Sequence, residues 1–197
     1  VRCDVVRSDI SRKDQKKDKV RPDGVAKYLE LARRADGTWR PGIHFEVTVE
    51  ACELAAQRYN EAGVRAVVIS ANTSDEDREK YFGQYARGEL DMLCSPTVLA
   101  EGFDATCAEV CVLRRSTDHV GDAMQRWGRV LRPFAGIEGV QCRPRKDRAL
   151  LIDICNCTTK KSHGMPTDDR AYSLEGKGIR LQAEVDEEAE KPALPAP

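Results

Sequence analysis

The chain has 197 residues, enough for one sizeable α/β domain with a real core and a tail. Its 32 Lys and Arg stand against 33 Asp and Glu, so the net charge is -1 and any contact with nucleic acid must be local rather than chain-wide. A mean hydropathy of -0.55, with no long apolar run, gives no candidate for a bilayer-spanning helix, and no membrane partner is expected.

Residues 1–23 contain Ser11-Arg12-Lys13-Asp14-Gln15-Lys16-Lys17-Asp18-Lys19, a mixed-charge run without apolar period, and are expected to be a linker or exposed segment. Val25 to Arg34 predicts a short helix that buries Val25, Leu29 and Leu31, ended by the Asp36-Gly37 turn signal. Gly42–Val47 predicts a strand. Glu50–Ala62 predicts a helix with Cys52, Leu54, Ala55 and Tyr59 on its apolar side, stopped by Gly63. Val64–Ile69 is the cleanest strand. Ser74 should cap a helix over Asp75–Ala86, since Ser-x-x-Asp at 74–77 resembles a capping box, and Arg87-Gly88 should end it. Strands follow at Leu90–Cys94 and Glu109–Leu113, a helix at Asp118–Leu131, and a last strand at Ala149–Ile154 after a loop over 134–147. This alternation, with near-continuous apolar strands, predicts an α/β domain over 24–180: a parallel sheet covered on both faces. Its crossovers should be right-handed. The acidic and Pro/Ala-rich residues 181–197 should be a disordered tail.

There are eight Cys and no secretory apolar segment at the start, so a reducing cytoplasm is the expected compartment. Cys52, Cys94, Cys107 and Cys111 fall in apolar or periodic segments, where free Cys behaves as a small hydrophobe. Val1 rather than Met stands first, which suits a piece of a longer chain or a trimmed product.

Parallel sheets bind ligands at the carboxyl ends of their strands, and three segments are expected there. The first is Ser95–Asp104, where Thr97 offers a hydroxyl and a helix-start amide for phosphate, Gly102 permits a close backbone approach, and Asp104 can accept from a ribose hydroxyl. The second is Gln125-Arg126-Trp127-Gly128-Arg129-Val130-Leu131-Arg132, which reads Q-x-x-G-R-x-x-R. Two permanently charged planar forks about one helical turn apart suit a transferring phosphoryl group, whose charge spreads over several oxygens. The third is Phe45 with Thr48, of which Phe45 reads as core.

Taken in order, these segments resemble the second RecA-like domain of superfamily 2 DEAD/DEAH-type helicases and translocases. Gly42–Ala51 is similar to the family's motif IV, Ser95–Asp104 to motif V and Gln125–Arg132 to motif VI, so the resemblance covers roughly 40–155. Residues 162–176 are similar to a tail found after this domain in phage and bacterial members. The resemblance implies that Arg129 and Arg132 face the γ-phosphate of ATP, with Arg132 as arginine finger. It places Gln125 at the interdomain cleft, Asp104 on ribose with Gly102 shaping its loop, and Thr97 on the nucleic-acid backbone. The implied partners are single- or double-stranded nucleic acid and an N-terminal RecA-like domain of the same longer chain. That domain would hold most of the ATP and Mg²⁺, because this sequence has no G-x-x-x-x-G-K-[ST] loop. These residues alone are therefore expected to be inactive. His44 and Glu46 depart from the usual apolar motif IV strand and put its register in doubt; Trp127 is expected to pack under its helix or line the cleft.

Other readings start from other residues. A catalytically inactive helicase-like interaction module would share the fold, although it would not need Arg129, Arg132 and Asp104 so placed. Cys142, Cys155, Cys157 and His163 could supply four zinc ligands, but Cys155-x-Cys157 is tighter than the usual spacing, and no metal is assigned. His44, His119 and His163 read as surface or satisfied-core residues. Arg143, Arg145, Lys146 and Arg148 suit either nucleic-acid phosphates or a solvated loop.

Overall fold

The computed structural model describes residues 2–8, 23–96, 107–117, 119–132, 148–159, 164–168, 170–172, 179–181 and 186. Six strands form one sheet: β1 (Arg2–Arg7), β2 (Gly42–Phe45), β3 (Ala66–Val68), β4 (Met92–Ser95), β5 (Val110–Leu113) and β6 (Arg148–Asp153). Their spatial order is β1-β6-β5-β2-β4-β3, and every pairing is parallel. The helices are α1 (Gly24–Leu31), α2 (Val49–Glu61), α3 (Asp75–Arg87) and α4 (Val120–Leu131). A separate antiparallel pair joins β7 (Arg170–Tyr172) to β8 (Ile179–Leu181).

Alternation along β2 divides the core. Ile43 and Phe45 point into one cluster, with Tyr85 of α3, Leu113, Leu151 and the α4 residues Ala123, Trp127 and Val130. The other face packs Val25 and Tyr28 of α1 with Cys52, Ala55 and Tyr59 of α2 against Cys94, Val112 and Ile152. The helices obey one handedness: α1 and α2, whose chain moves one way across the sheet, share one face, whereas α3 and α4, on the return, share the other.

Local chemistry sets the helix ends. Asp23 caps α1 by accepting from Val25 and Ala26 amides, and its carboxylate pairs with Arg58 of α2. Thr48 Oγ1 accepts from Ala51 N at the start of α2. Ser74 Oγ accepts from Asp77 N at 3.1 Å and donates to Asp77 Oδ2 at 2.8 Å, a variant of the expected reciprocal box. Gly88 closes α3 in the left-handed region at φ 82°, where a side chain would be strained. Gly42 serves packing instead: a Cβ there would lie 2.6 Å from Met92 Cε.

Several expectations are corrected. Residues 2–7 are no linker: they form edge strand β1, paired residue for residue with β6, and Arg148 Nη2 meets Asp4 Oδ1 at 3.1 Å. The exposed faces of Arg2 and Asp4 alternate with half-buried Cys3 and Val5, the pattern of a strand with one covered face. Leu54 is 60% exposed, and Ala56 takes its place in the core. Tyr28 is the fully buried anchor of α1, whereas Leu29 and Leu31 are only partly buried. The strands are shorter than their apolar runs; Val64 and Ile69 are buried but lie outside β3. The motif IV strand is in parallel register with both β4 and β5, and Trp127 packs under α4, 2% exposed. The expected loop over 134–147 and most of the acidic tail lie outside the described residues; Leu181 ends β8.

Candidate functional site

In an all-parallel sheet the carboxyl ends meet at one pole, which here carries Glu46 after β2, Pro96 after β4 and Arg114–Thr117 after β5. Glu46 is 3% exposed. Its Oε1 lies 3.3 Å from Arg114 Nη1 and 3.3 Å from His44 Nε2. That second approach is close enough for attraction but misses hydrogen-bond geometry, so Nε2 has no hydrogen bond. His44 Nδ1 meets the Tyr59 hydroxyl at 2.9 Å. Burial holds the His44 imidazole below its ordinary range, and the Glu46 carboxyl is also lowered, against its own desolvation, by His44 and Arg114. The sequence's odd His and Glu thus form a buried polar cluster at the strand end, hydrogen-bonded at Nδ1 but not at Nε2, and β2 keeps its register with both neighbouring strands.

The loop after β5 leads into α4. Thr117 Oγ1 accepts from His119 N at 3.1 Å and shapes the turn, since His119 provides no side-chain cap. Arg115 Nη1 donates to the Pro96 carbonyl, and the Arg115 carbonyl accepts from Arg126 Nη1 at 2.8 Å. Arg126 is 3% exposed, its guanidinium 5.9 Å from the Phe45 ring centroid and 2.6 Å from Asp122 Oδ2. This residue escaped the sequence reading. The signal available was Asp122-x-x-x-Arg126, an acidic residue four positions before a basic one on a helix.

Helical periodicity then fixes what faces outward. Ala123, Trp127 and Val130 are buried against the sheet. Gln125, Arg129 and Arg132, at i, i+4 and i+7, share a stripe almost opposite. Gln125 and Arg132 are exposed and Arg129 is half-buried. Arg132 stands just past the helix, whose end at Leu131 is the expected one, with extended backbone at φ -61° and ψ 135°. Pro133 follows it in the sequence, and the residue before a proline is driven out of the helical region. A Cβ on Gly128, beside this stripe, would meet nothing within 4 Å among the described residues beyond its own stretch of helix.

The chain matches the helicase conserved C-terminal domain family over residues 29–133, more than half its length. This chain belongs to that family. The helicase C-terminal domain is 28% identical over 137 residues to a 51.5 kDa protein of Lactococcus phage (isolate 7-9), covering 70% of this chain and 27% of the phage protein. It thus spans about a quarter of that relative's length. Among solved structures it is similar to the S. cerevisiae Dbp5 C-terminal domain bound to Gle1 and IP6, with TM-score 0.50 and 14% identity over 77% of this chain and 76% of that one. A second Dbp5 chain with the same partners gives TM-score 0.51 and 16% identity over 77% of this chain and 36% of that one. These structures support the expected RecA-like fold.

Of the expected site residues, Gln125 and Arg129 lie one turn apart in α4 and Arg132 stands at its end. Thr97, Gly102 and Asp104 lie outside the described residues, as do Cys142 and His163. Cys155 and Cys157 are both buried just after β6. Among the described residues no three His, Cys, Asp or Glu side chains gather as a metal site would require, and no helix is long and apolar enough to cross a membrane.

Proposed function

We propose that this helicase domain completes an ATP site whose other half is a first RecA-like domain, and that it forms part of a nucleic-acid track. The observation that carries the reading is the α4 stripe. The buried face of Trp127 and Val130 fixes the helix on the sheet, which would present Arg129, and Arg132 at the helix end, toward a facing phosphate. Guanidinium forks match phosphate oxygens in both charge and geometry, which fits the γ-phosphate of ATP. ATP supplies the phosphoryl group that is transferred. Arg132 would stabilise the charge that develops on it, as an arginine finger, with Arg129 beside it and Gln125 at the domain cleft. Bare Gly128 leaves room for the opposing surface to close. Mg²⁺ belongs with carboxylates of the first domain. Thr97 would touch the nucleic-acid backbone and Gly102 and Asp104 the nucleotide side, as the motif V resemblance implies. Backbone contact gives affinity without sequence readout.

The test is ATP hydrolysis with and without single-stranded nucleic acid, for this chain and for the gene product that carries it together with a first RecA-like domain. Turnover should need both domains and rise with nucleic acid. Arg132→Ala should remove turnover, given that arginine fingers contribute on the order of 10³–10⁵ in rate, while leaving nucleic-acid binding in place. Near-normal turnover in that variant refutes the assignment. No turnover in either protein favours an inactive interaction module.

A further inference from the structure

The sheet order puts β2 between β5 and β4, so no backbone ladder joins the exit of β5 to the exit of β4. Arg115 makes that connection. Its guanidinium donates to the carbonyl of Pro96, the residue immediately after β4 and immediately before Thr97. Its own carbonyl receives Arg126 Nη1 at 2.8 Å, and Arg126 is buried within α4, one turn before Arg129. The neighbouring Arg114 turns the other way, to Glu46 at the exit of β2. Two adjacent arginines therefore fasten the β5 exit to two different strands, and Arg115 also carries a contact from α4.

We propose that Arg115 is a positioning residue that couples the segment beginning at Thr97 to the Arg129/Arg132 stripe. This rests on the function proposed above. A displacement of the Pro96 carbonyl, when the following segment takes up nucleic acid, pulls on the Arg115 fork. The loop then shifts the carbonyl that holds Arg126, and α4 rotates or slides with it. Small shifts of this kind suffice, because a misplacement of about 1 Å in a catalytic group costs on the order of 10² in rate. The fork is essential to the coupling: lysine keeps the charge but is a flexible point donor without a planar, pre-organised end.

The experiment uses the complete gene product carrying this chain, as wild type, Arg115→Lys and Arg115→Gln. It measures basal ATP turnover, turnover with saturating single-stranded nucleic acid, KM for ATP, and nucleic-acid affinity. The expected result is a basal rate close to wild type in both variants. Stimulation should fall at least about fivefold in Arg115→Gln, the lower end of ordinary coupling between two sites, with Arg115→Lys in between. Wild-type stimulation retained in both variants overturns the inference and leaves the proposed function standing. Basal and stimulated rates that fall together overturn it too, since Arg115 would then be only a strut. A wild type that hydrolyses ATP without any response to nucleic acid removes both the nucleic-acid reading and the coupling built on it.

Discussion

Gly128→Ala separates what α4 does for this domain from what it does for a partner surface. Glycine inside a helix is destabilising by roughly 0.5–1 kcal/mol relative to alanine, because it loses more backbone freedom on folding. Such a cost is usually offset by a close contact that only glycine permits. Here a Cβ would meet no atom of the described residues beyond its own stretch of helix within 4 Å, and the position is ordinary right-handed helix. The substitution should therefore stabilise the isolated domain by about 0.5–1 kcal/mol, a rise in Tm of roughly 2–4 °C per kcal/mol for a chain of this size. The same methyl group stands beside the Gln125/Arg129/Arg132 stripe, where the proposed function requires another surface to close. Turnover of the complete enzyme should then fall, by on the order of 10² if the arginines are held back by about 1 Å. Urea unfolding of the domain and steady-state ATPase of the complete enzyme read the two effects separately. A destabilised domain would mean that Gly128 has an internal packing role after all. A stabilised domain with undiminished turnover would refute the closing face.

Two further outcomes test the frame of the site. Asp122→Ala leaves the buried Arg126 guanidinium without the carboxylate now 2.6 Å away. Breaking a fully buried pair costs about 3–5 kcal/mol, and the one-third exposure of Asp122 lowers the expectation to about 1–3 kcal/mol in urea unfolding; a change below about 0.5 kcal/mol, as at ordinary surface positions, would mean that the pair holds nothing. His44 sets a pH dependence. Its folded pKa is lowered by burial, so below about pH 6.5 the unfolded chain binds a proton that the folded chain resists. Stability from this group is complete above that pH and falls as the pH drops, until the folded pKa is reached. Glu46, Arg114, Tyr59 and Asp23 are the charged and titratable groups acting around it. The Glu46 carboxyl, also lowered, adds a loss of stability of the same sign below its ordinary 4.5. His44→Gln should flatten the urea midpoint between pH 5 and 6.5, and an unchanged slope there would place the titrating group elsewhere.

The parallel sheet and its two covered faces were readable because apolar runs, helix caps and glycine stops agreed with one another. Ser74 and Gly88 bound α3 as their chemistry demands. β1 was masked by the charged run after it, although Arg2, Cys3, Asp4 and Val5 already alternate with a period of two. Leu54 misled because helical spacing near the edge of an apolar face does not say where the sheet ends. His44 and Glu46 looked like a fault in a strand, since a single sequence does not say that Tyr59, fifteen residues on, and Arg114, from another strand's exit, would meet them. Arg126 went unnoticed for a related reason. Charge suggests solvent, and only the packing of α4 reveals that this arginine faces inward over Phe45 while Gln125 beside it faces out.

The arginines between residues 114 and 132 divide by role according to where the helix and strand ends point them. Arg114, Arg115 and Arg126 are committed inward, to Glu46, to the Pro96 carbonyl, and to Asp122 with the Arg115 carbonyl. Arg129 and Arg132 lie on the outward stripe. A chain with net charge -1 can thus concentrate cationic character at one place without a basic surface overall. The first three orient the frame, and a guanidinium suits that work because its five donors satisfy carbonyl and carboxylate partners at fixed angles. The outward two then depend on the frame for direction. Under the proposed function, substitutions at Arg114 or Arg126 should impair turnover through stability and geometry, those at Arg115 through coupling, and those at Arg129 or Arg132 through lost charge at the phosphate. That distinction is measurable, because added salt screens the wild-type surface charge and narrows its lead over a variant that lacks it, but does not narrow the gap left by a misplaced helix.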